Sequence, residues 1–253
     1  MNNFTHLHVH TQFSLLDGAA KIPDLVSYAK ELGMTSLAIT DHGVMYGAVD
    51  FYQECKKQGI KPILGCEVYV TTGSHLERNN RGLFHLILLA ENLEGYHNIM
   101  KMVSLSQLEG FYYKPRVDKD ILRAHSKGVI CLSACIAGEL PVLIQQGNMD
   151  GARRCLEEYI EIFGKENYFL EIQNHDLPEE HKANRGLKQL AKEYGLGLVA
   201  TNDLHYVRRE DAEAQDVLLC LQTGSTVDEP NRMRFPNDQF YLKSYEEMAE
   251  KFS

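Results

Sequence analysis

Three histidines alternate with apolar residues at the start of the chain, in Phe4-Thr-His6-Leu-His8-Val-His10, and Ser14-Leu-Leu-Asp17-Gly follows them. In extended backbone, alternate side chains point to opposite faces, so His6, His8 and His10 share one face and Leu7 and Val9 the other. Imidazole is the commonest metal-ligating side chain, and a strand with imidazoles on one side and apolar groups on the other reads as the wall of a metal site.

Residues of the same chemistry recur along the chain, in Thr40-Asp41-His42-Gly43, Gly65-Cys66-Glu67, Phe84-His85-Leu86, Ser133-Ala-Cys135 and Thr201-Asn-Asp203-Leu-His205. The candidate ligands are His8, His10, Asp17, His42, Glu67, His85, Cys135, Asp203 and His205, nine in all. One zinc ion takes three or four protein ligands. Nine therefore imply two or three divalent ions, with a carboxylate such as Glu67 bridging. Imidazole and carboxylate suit zinc, manganese or iron rather than calcium, and a thiolate favours zinc. Clustered ions of this kind activate water and stabilise a leaving oxygen in phosphoryl displacement.

Taken singly, these residues have plainer explanations. His6 fits a packed histidine behind the ligands, His85 a core residue, Cys135 a small hydrophobe, and Asp41-His42-Gly43 a turn. What favours a site is that ligand types follow almost every predicted strand. His75, His97, His125, His175 and His181 fall in loops or helices and are read as non-ligands, and Cys66 and Cys131 as core.

The elements that must position these residues alternate. Strands are predicted near 4–8, 36–40, 61–70, 83–89, 129–133, 168–173 and 196–201, with helices between them. The helix that opens at Pro23 carries a stripe of Leu25, Val26, Ala29 and Leu32. Seven β/α units predict an α/β fold, a distorted (β/α)7 TIM-like barrel, with an open doubly wound sheet as the rival. Active sites of such barrels lie at strand C-termini. Residues 1–221 are read as the barrel and 222–253, polar and then helical, as an extension towards a further domain.

The chain has 253 residues, 44% of them apolar, and a net charge of −9. That charge argues against broad affinity for nucleic acid and confines any such contact to a local rim. No run approaches the ~18 apolar residues of a membrane span, so no membrane partner is expected. The six cysteines are scattered with no CxxC pair, which fits a reducing cytoplasm.

The blocks HLHVH, SLLDG, AITDHG, GCEVYV, FHLILLA, LSAC and TNDLHY resemble the polymerase and histidinol phosphatase (PHP) superfamily. Further blocks, MTSLAITDHGVMYGAVDFY, GIKPILGCEVYV, GFYYKPRVD and DQFYLKSYEEMAEKF, are similar to the N-terminal PHP domain of bacterial replicative DNA polymerase III alpha subunits. The resemblance implies a distorted seven-unit barrel and a trinuclear centre whose ligands fall on the nine positions above. It further implies 3′→5′ exonucleolytic proofreading on a single-stranded or frayed primer, in the bacterial cytoplasm. A missing palm domain, the remainder of a polymerase chain, a proofreading subunit and a sliding clamp would be its partners. Asp41, Asp203 and His205 are the candidate catalytic residues, orienting imidazoles or handling a proton. Substrate contacts are expected from Lys114, Arg116 and Arg208, with Arg78, Arg81, Tyr206 and Arg209 completing a rim. The segment 110–116 interleaves aromatic and cationic residues, as single-strand binders do, although solvated loop charges would look the same.

Three other functions share these features. A phosphate monoesterase of the histidinol phosphatase type would need an enclosed pocket. A structural or docking module would use the metals as staples. An amidohydrolase also begins with HxH, but it carries a bridging lysine where Glu67 and His85 stand here, and it ranks last.

Overall fold

The computed structural model describes residues 4–252. In chain order its elements are α1 (Ile22–Glu31), β1 (Ser36–Ile39), α2 (Ala48–Gln58), β2 (Lys61–Val70), β3 (Phe84–Ala90), α3 (Leu93–Leu108), β4 (Arg116–Val117), α4 (Lys119–Ala124), β5 (Val129–Leu132), α5 (Glu139–Gln145), α6 (Met149–Phe163), β6 (Tyr168–Gln173), α7 (Pro178–Tyr194), β7 (Leu198–Thr201), α8 (Ala212–Thr223) and α9 (Tyr245–Phe252). A 3-10 turn, Arg209–Asp211, precedes α8. This is the alternating α/β class expected. The chain forms two compact units, one from the described residues of Met1–Asp41, Tyr46–Leu64 and Asn202–Ser253, the other from His42–Met45 and Gly65–Thr201.

In the first unit, α1 starts with proline in its first turn and buries Ile22, Leu25, Val26 and Ala29. With Phe51 and Cys55 of α2, these residues close over Val9, Leu37, Leu204 and Leu242. β1 pairs in parallel with the start of β2, from Ser36↔Lys61 to Ile39↔Leu64.

One expectation needs correction here. No strand forms over the described residues 4–8, and the pairing nearest to them is a single parallel bridge just beyond, Val9↔Leu204. The Val9 N–H goes to the Thr40 hydroxyl at 2.7 Å instead of a ladder carbonyl, which interrupts the regular pairing. Part of the segment from 222 onward packs on the first unit. Leu242 is fully buried in the first unit's core, its N–H donates to Val207 O at 3.1 Å, and the Phe240 carbonyl accepts from His205 N at 2.8 Å.

In the second unit β2 continues antiparallel to β3, from Gly65↔Leu89 to Val70↔Phe84. β3 is antiparallel to β5 as well, whereas β5, β6 and β7 run parallel, and β4 pairs in parallel with the end of β2. An all-parallel barrel is therefore not what β3 makes. Parallel neighbours need a crossover, usually a helix, and no helix lies between β2 and β3. Polar caps set the starts of three helices: Asn92, Asp118 and Asn148 accept from Gly95, Ile121 and Gly151 N–H groups at 3.1, 3.0 and 2.9 Å.

Two tests of these contacts follow from the packing. A Cβ on Gly95 would lie 1.6 Å from Gly128 O, a backbone atom, whereas one on Gly59 meets nothing within 4 Å. Gly95→Ala is expected to lower stability by about 2 kcal/mol or more and Gly59→Ala by about 1 kcal/mol, from its positive φ alone, as read from urea unfolding midpoints. His6 is fully buried, its Nε2 lying 2.9 Å from Lys243 O, and burial pushes its pKa down to about 4 from 6.5. The unfolded chain therefore takes up this proton first. The stability at stake is intact above pH 6.5, is lost as pH falls towards 4, and amounts to about 3 kcal/mol. A His6→Gln variant is expected to show a flatter stability–pH profile across that window.

Candidate metal centres

The first unit gathers His8, His10, Asp203 and His205. His8 Nε2 lies 3.1 Å from His10 Nε2, and Asp203 Oδ1 lies 3.1 and 3.3 Å from the same two nitrogens. The His10 and His205 rings lie 4.4 Å apart. Ligand atoms bonded at 2.0–2.1 Å in a tetrahedron are about 3.3 Å from one another, so these three atoms have the edge lengths of a zinc-like site. Both His8 and His10 are fully buried.

Outer contacts fix the ring orientations. Ser14 Oγ donates to Asp41 Oδ1 at 2.6 Å, so its lone pair accepts from His10 Nδ1–H at 3.2 Å. His10 Nε2 is thereby left with its lone pair facing His8 and Asp203. His205 Nδ1–H donates to the Asp203 carbonyl at 2.7 Å, which leaves Nε2 as its ligand atom. Asp41, itself buried, also accepts from Thr11 N at 2.6 Å and Thr11 Oγ1 at 2.8 Å. Burial alone would raise the Asp203 pKa, but the imidazoles of His8, His205 and His10 outweigh it and hold the carboxyl well below the usual range.

The second unit gathers His42, Glu67, His85 and Cys135. Glu67 has no exposed surface and uses its two oxygens separately, Oε1 at 2.8 Å from His85 Nδ1 and Oε2 against His42 Nδ1. Cys135 Sγ is 3.7 Å from His85 Nδ1, near the about 3.6 Å expected between thiolate and imidazole on one tetrahedral zinc. A carboxylate with one imidazole at each oxygen has the form of a bridging ligand. The reversed β3 explains how His85, near its strand's start, reaches this place: it pairs with Tyr69 towards the end of β2, two residues from Glu67 and on the same face.

Backbone strain touches both sets. Among the described residues, five non-glycine residues have positive φ: Leu16, Tyr113, Ala134, Asp176 and Asp203. Asp203 is itself in a ligand set, Ala134 precedes Cys135, Leu16 precedes Asp17 and Tyr113 precedes Lys114. Such conformations cost roughly 1–3 kcal/mol and gather at functional sites.

The other expected residues separate. Asp17 is half-buried, and among the described residues no triad of mutually close ligand atoms includes it; its carbonyl accepts from Gln215 Nε2. Arg116 is corrected from a substrate contact to a structural clamp. It is fully buried, and its guanidinium donates to the carbonyls of Gly110 at 3.0 Å, Asn80 at 2.9 Å, His75 at 2.8 Å and Glu77. Arg208 stacks on Tyr28 at 3.9 Å and pairs with Glu31 at 3.4 Å. Lys114 is exposed, its ammonium 5.3 Å from the Tyr69 ring, and Tyr69 stacks on His42 at 6.1 Å. His75 and His175 bond carboxylates, Asp118 at 2.6 Å and Glu180 at 2.5 Å. Cys66 and Cys131 are fully buried. Ser14 and Tyr69 are the functional neighbours that sequence reasoning missed. Their signals, i+4 from His10 and i+2 from Glu67, mean something only once the local backbone is known.

An α/β fold with two clusters of imidazole and carboxylate, the first buried and the second half-buried around Glu67, defines a metal-binding class. The PHP domain profile matches residues 6–175. The DNA polymerase III alpha subunit of Thermus aquaticus is 52% identical over 97% of this chain and 21% of its own length. That of Treponema pallidum is 49% identical over 99% of this chain and 22% of its own length. The chain thus spans about a fifth of these relatives, matching their N-terminal region. An amidohydrolase structure from Chromobacterium violaceum, with bound sulfate and no metal, shares the fold at a TM-score of 0.50 and 15% identity, over 81% of this chain and 88% of its own. This chain belongs to the PHP domain family.

Ser14→Ala removes the acceptor that orients His10. It is expected to weaken zinc binding about tenfold or more in competition with a chromophoric chelator, and to lower the melting temperature of the chelator-treated protein by several degrees, because the buried Asp41 carboxylate loses a hydrogen bond.

Proposed function

We propose that this chain is a metal-dependent phosphodiesterase that removes nucleotides 3′→5′ from a single-stranded or frayed DNA end, as the proofreading PHP domain of a bacterial replicative polymerase. The observation that carries this reading is the pair of ligand sets, His8, His10 and Asp203 in one unit with the edge lengths of a tetrahedral site, and Glu67, His85 and Cys135 in the other with their ligand atoms within 4.8 Å of one another. Their imidazole, carboxylate and thiolate donors fit divalent zinc first, with manganese or iron as alternatives. Divalent ions held there supply Lewis acidity towards a phosphoryl oxygen and make a nucleophile of water at neutral pH.

The protein's own groups have distinct parts. Asp203, kept ionised by its imidazoles, would hold a divalent ion through Oδ1 together with His8 and His10. His205, oriented through the Asp203 carbonyl, presents Nε2 as a ligand. Asp41 positions His10 through Ser14 rather than moving a proton, since both its oxygens already accept hydrogen bonds. Lys114 places a cation beside Tyr69 for the phosphate backbone. Phe111 and Tyr113, 53% and 61% exposed, offer faces for base stacking, and the Arg81 guanidinium lies 3.9 Å over the Tyr113 ring. The setting is the bacterial cytoplasm, with the remainder of a polymerase chain, a proofreading subunit and a sliding clamp as partners. No described helix is long and apolar enough to cross a membrane.

The complete burial of His8, His10 and Glu67 favours a second reading, in which the ions staple the fold of a docking module. Asp203→Asn separates the two readings. The metal-loaded protein should degrade a 3′-recessed primer, leave p-nitrophenyl phosphate largely intact, and lose primer hydrolysis by about a hundredfold or more in the variant without a matching fall in melting temperature. A variant that melts far lower, from a parent that hydrolyses neither substrate, would establish the staple.

A further inference from the structure

A cavity of about 280 Å³ in the first unit is lined by Tyr206, Glu213, Asp216, Arg234, Phe235 and Asp238, among others. Its size is near the lower end of small-molecule sites. Its position is set by Phe235, whose ring centroid lies 4.9 Å from that of the ligand-set residue His205 and 4.5 Å from that of Phe240. The cavity is therefore one aromatic ring away from the candidate metal ligands of the same unit.

The charges of the lining sort themselves. The Asp216 carboxylate is gripped at two points by Arg232, and that of Asp238 by Arg209 at 2.7 and 3.1 Å. Neither can serve as a strong anionic anchor. Glu213 and Arg234 lie on the lining with no ion pair among the described residues, and both are exposed. The cavity thus offers aromatic surface from the half-buried Phe235, one guanidinium and one carboxylate, with near-zero net charge once the two paired aspartates are counted with their arginines. A phosphate would meet as many anions as cations there. A flat, neutral, aromatic ligand with acceptors on one edge and donors on another meets a partner at each.

We infer that this cavity receives an unpaired nucleobase of the substrate strand, with guanine the best fit. Its O6 and N7 acceptors suit Arg234, its amino group suits Glu213, and its face stacks on Phe235. The inference rests on the nucleic-acid reading above and adds to it the part of the substrate that is recognised beside His205.

Deoxyguanosine and deoxyribose, neither carrying a phosphate to engage metal, separate base recognition from metal binding. Equilibrium dialysis against the metal-loaded protein should show deoxyguanosine bound and deoxyribose not, with about a tenfold loss in Arg234→Ala and in Phe235→Leu at unchanged metal content. Oligonucleotides ending in guanosine and in an abasic residue should differ in KM by a similar factor for the parent protein, and this ratio should fall towards one in both variants. Deoxyguanosine binding without hydrolysis of either oligonucleotide would keep the cavity and refute the phosphodiesterase reading. Hydrolysis with no deoxyguanosine binding, or with an abasic ratio of one, would overturn the cavity alone. Binding that both variants retain would overturn it too.

Discussion

A carboxylate removed from water must be compensated on the spot, or it costs several kcal/mol and takes up a proton. Glu67, Asp41 and Asp203 all sit under that constraint, and much of the local structure answers it. Glu67 has an imidazole at each oxygen, Asp41 has a backbone amide and two hydroxyls, and Asp203 has the imidazoles of the opening segment. The backbone bends to make this possible, most visibly in the left-handed conformation of Asp203 itself. Oriented imidazoles are the by-product. Rings that neutralise a buried carboxylate already converge on the point where a cation would serve the purpose better.

This explains which parts of the site could be read from the chain and which could not. Alternating histidines in HLHVH announce themselves because strand geometry forces them onto one face, and His42, Glu67, His85 and Cys135 because ligand types seldom recur after strands by accident. Asp17 is equivalent on those grounds, and it sits in a tight turn with its N–H donating to the Ser14 carbonyl at 2.9 Å. Arg116 looked like part of a cationic rim because its neighbours are aromatic and basic, and burial leaves no trace in a seven-residue window. Ser14 is invisible for the opposite reason: its role arises from sitting between two residues distant in sequence, His10 and Asp41.

The fold was legible where local chemistry decides it. Pro23, Asn92 and Asn148 mark helix starts, and Gly59 and Gly195, both in the left-handed region, mark helix ends. Strand direction was not legible for β3, since hydrophobic runs look alike in either orientation and only the missing crossover helix betrays the reversal. The first predicted strand fails more subtly. Its pattern is right, but Thr40 diverts one of its amides.

Arg116 holds the segment from His75 to Asn80 wholly through main-chain carbonyls. Such an anchor is indifferent to which side chains the segment carries. Leu76, more than half exposed, can therefore be replaced while the path of the chain is preserved. The fold thus provides a changeable surface position on a fixed frame.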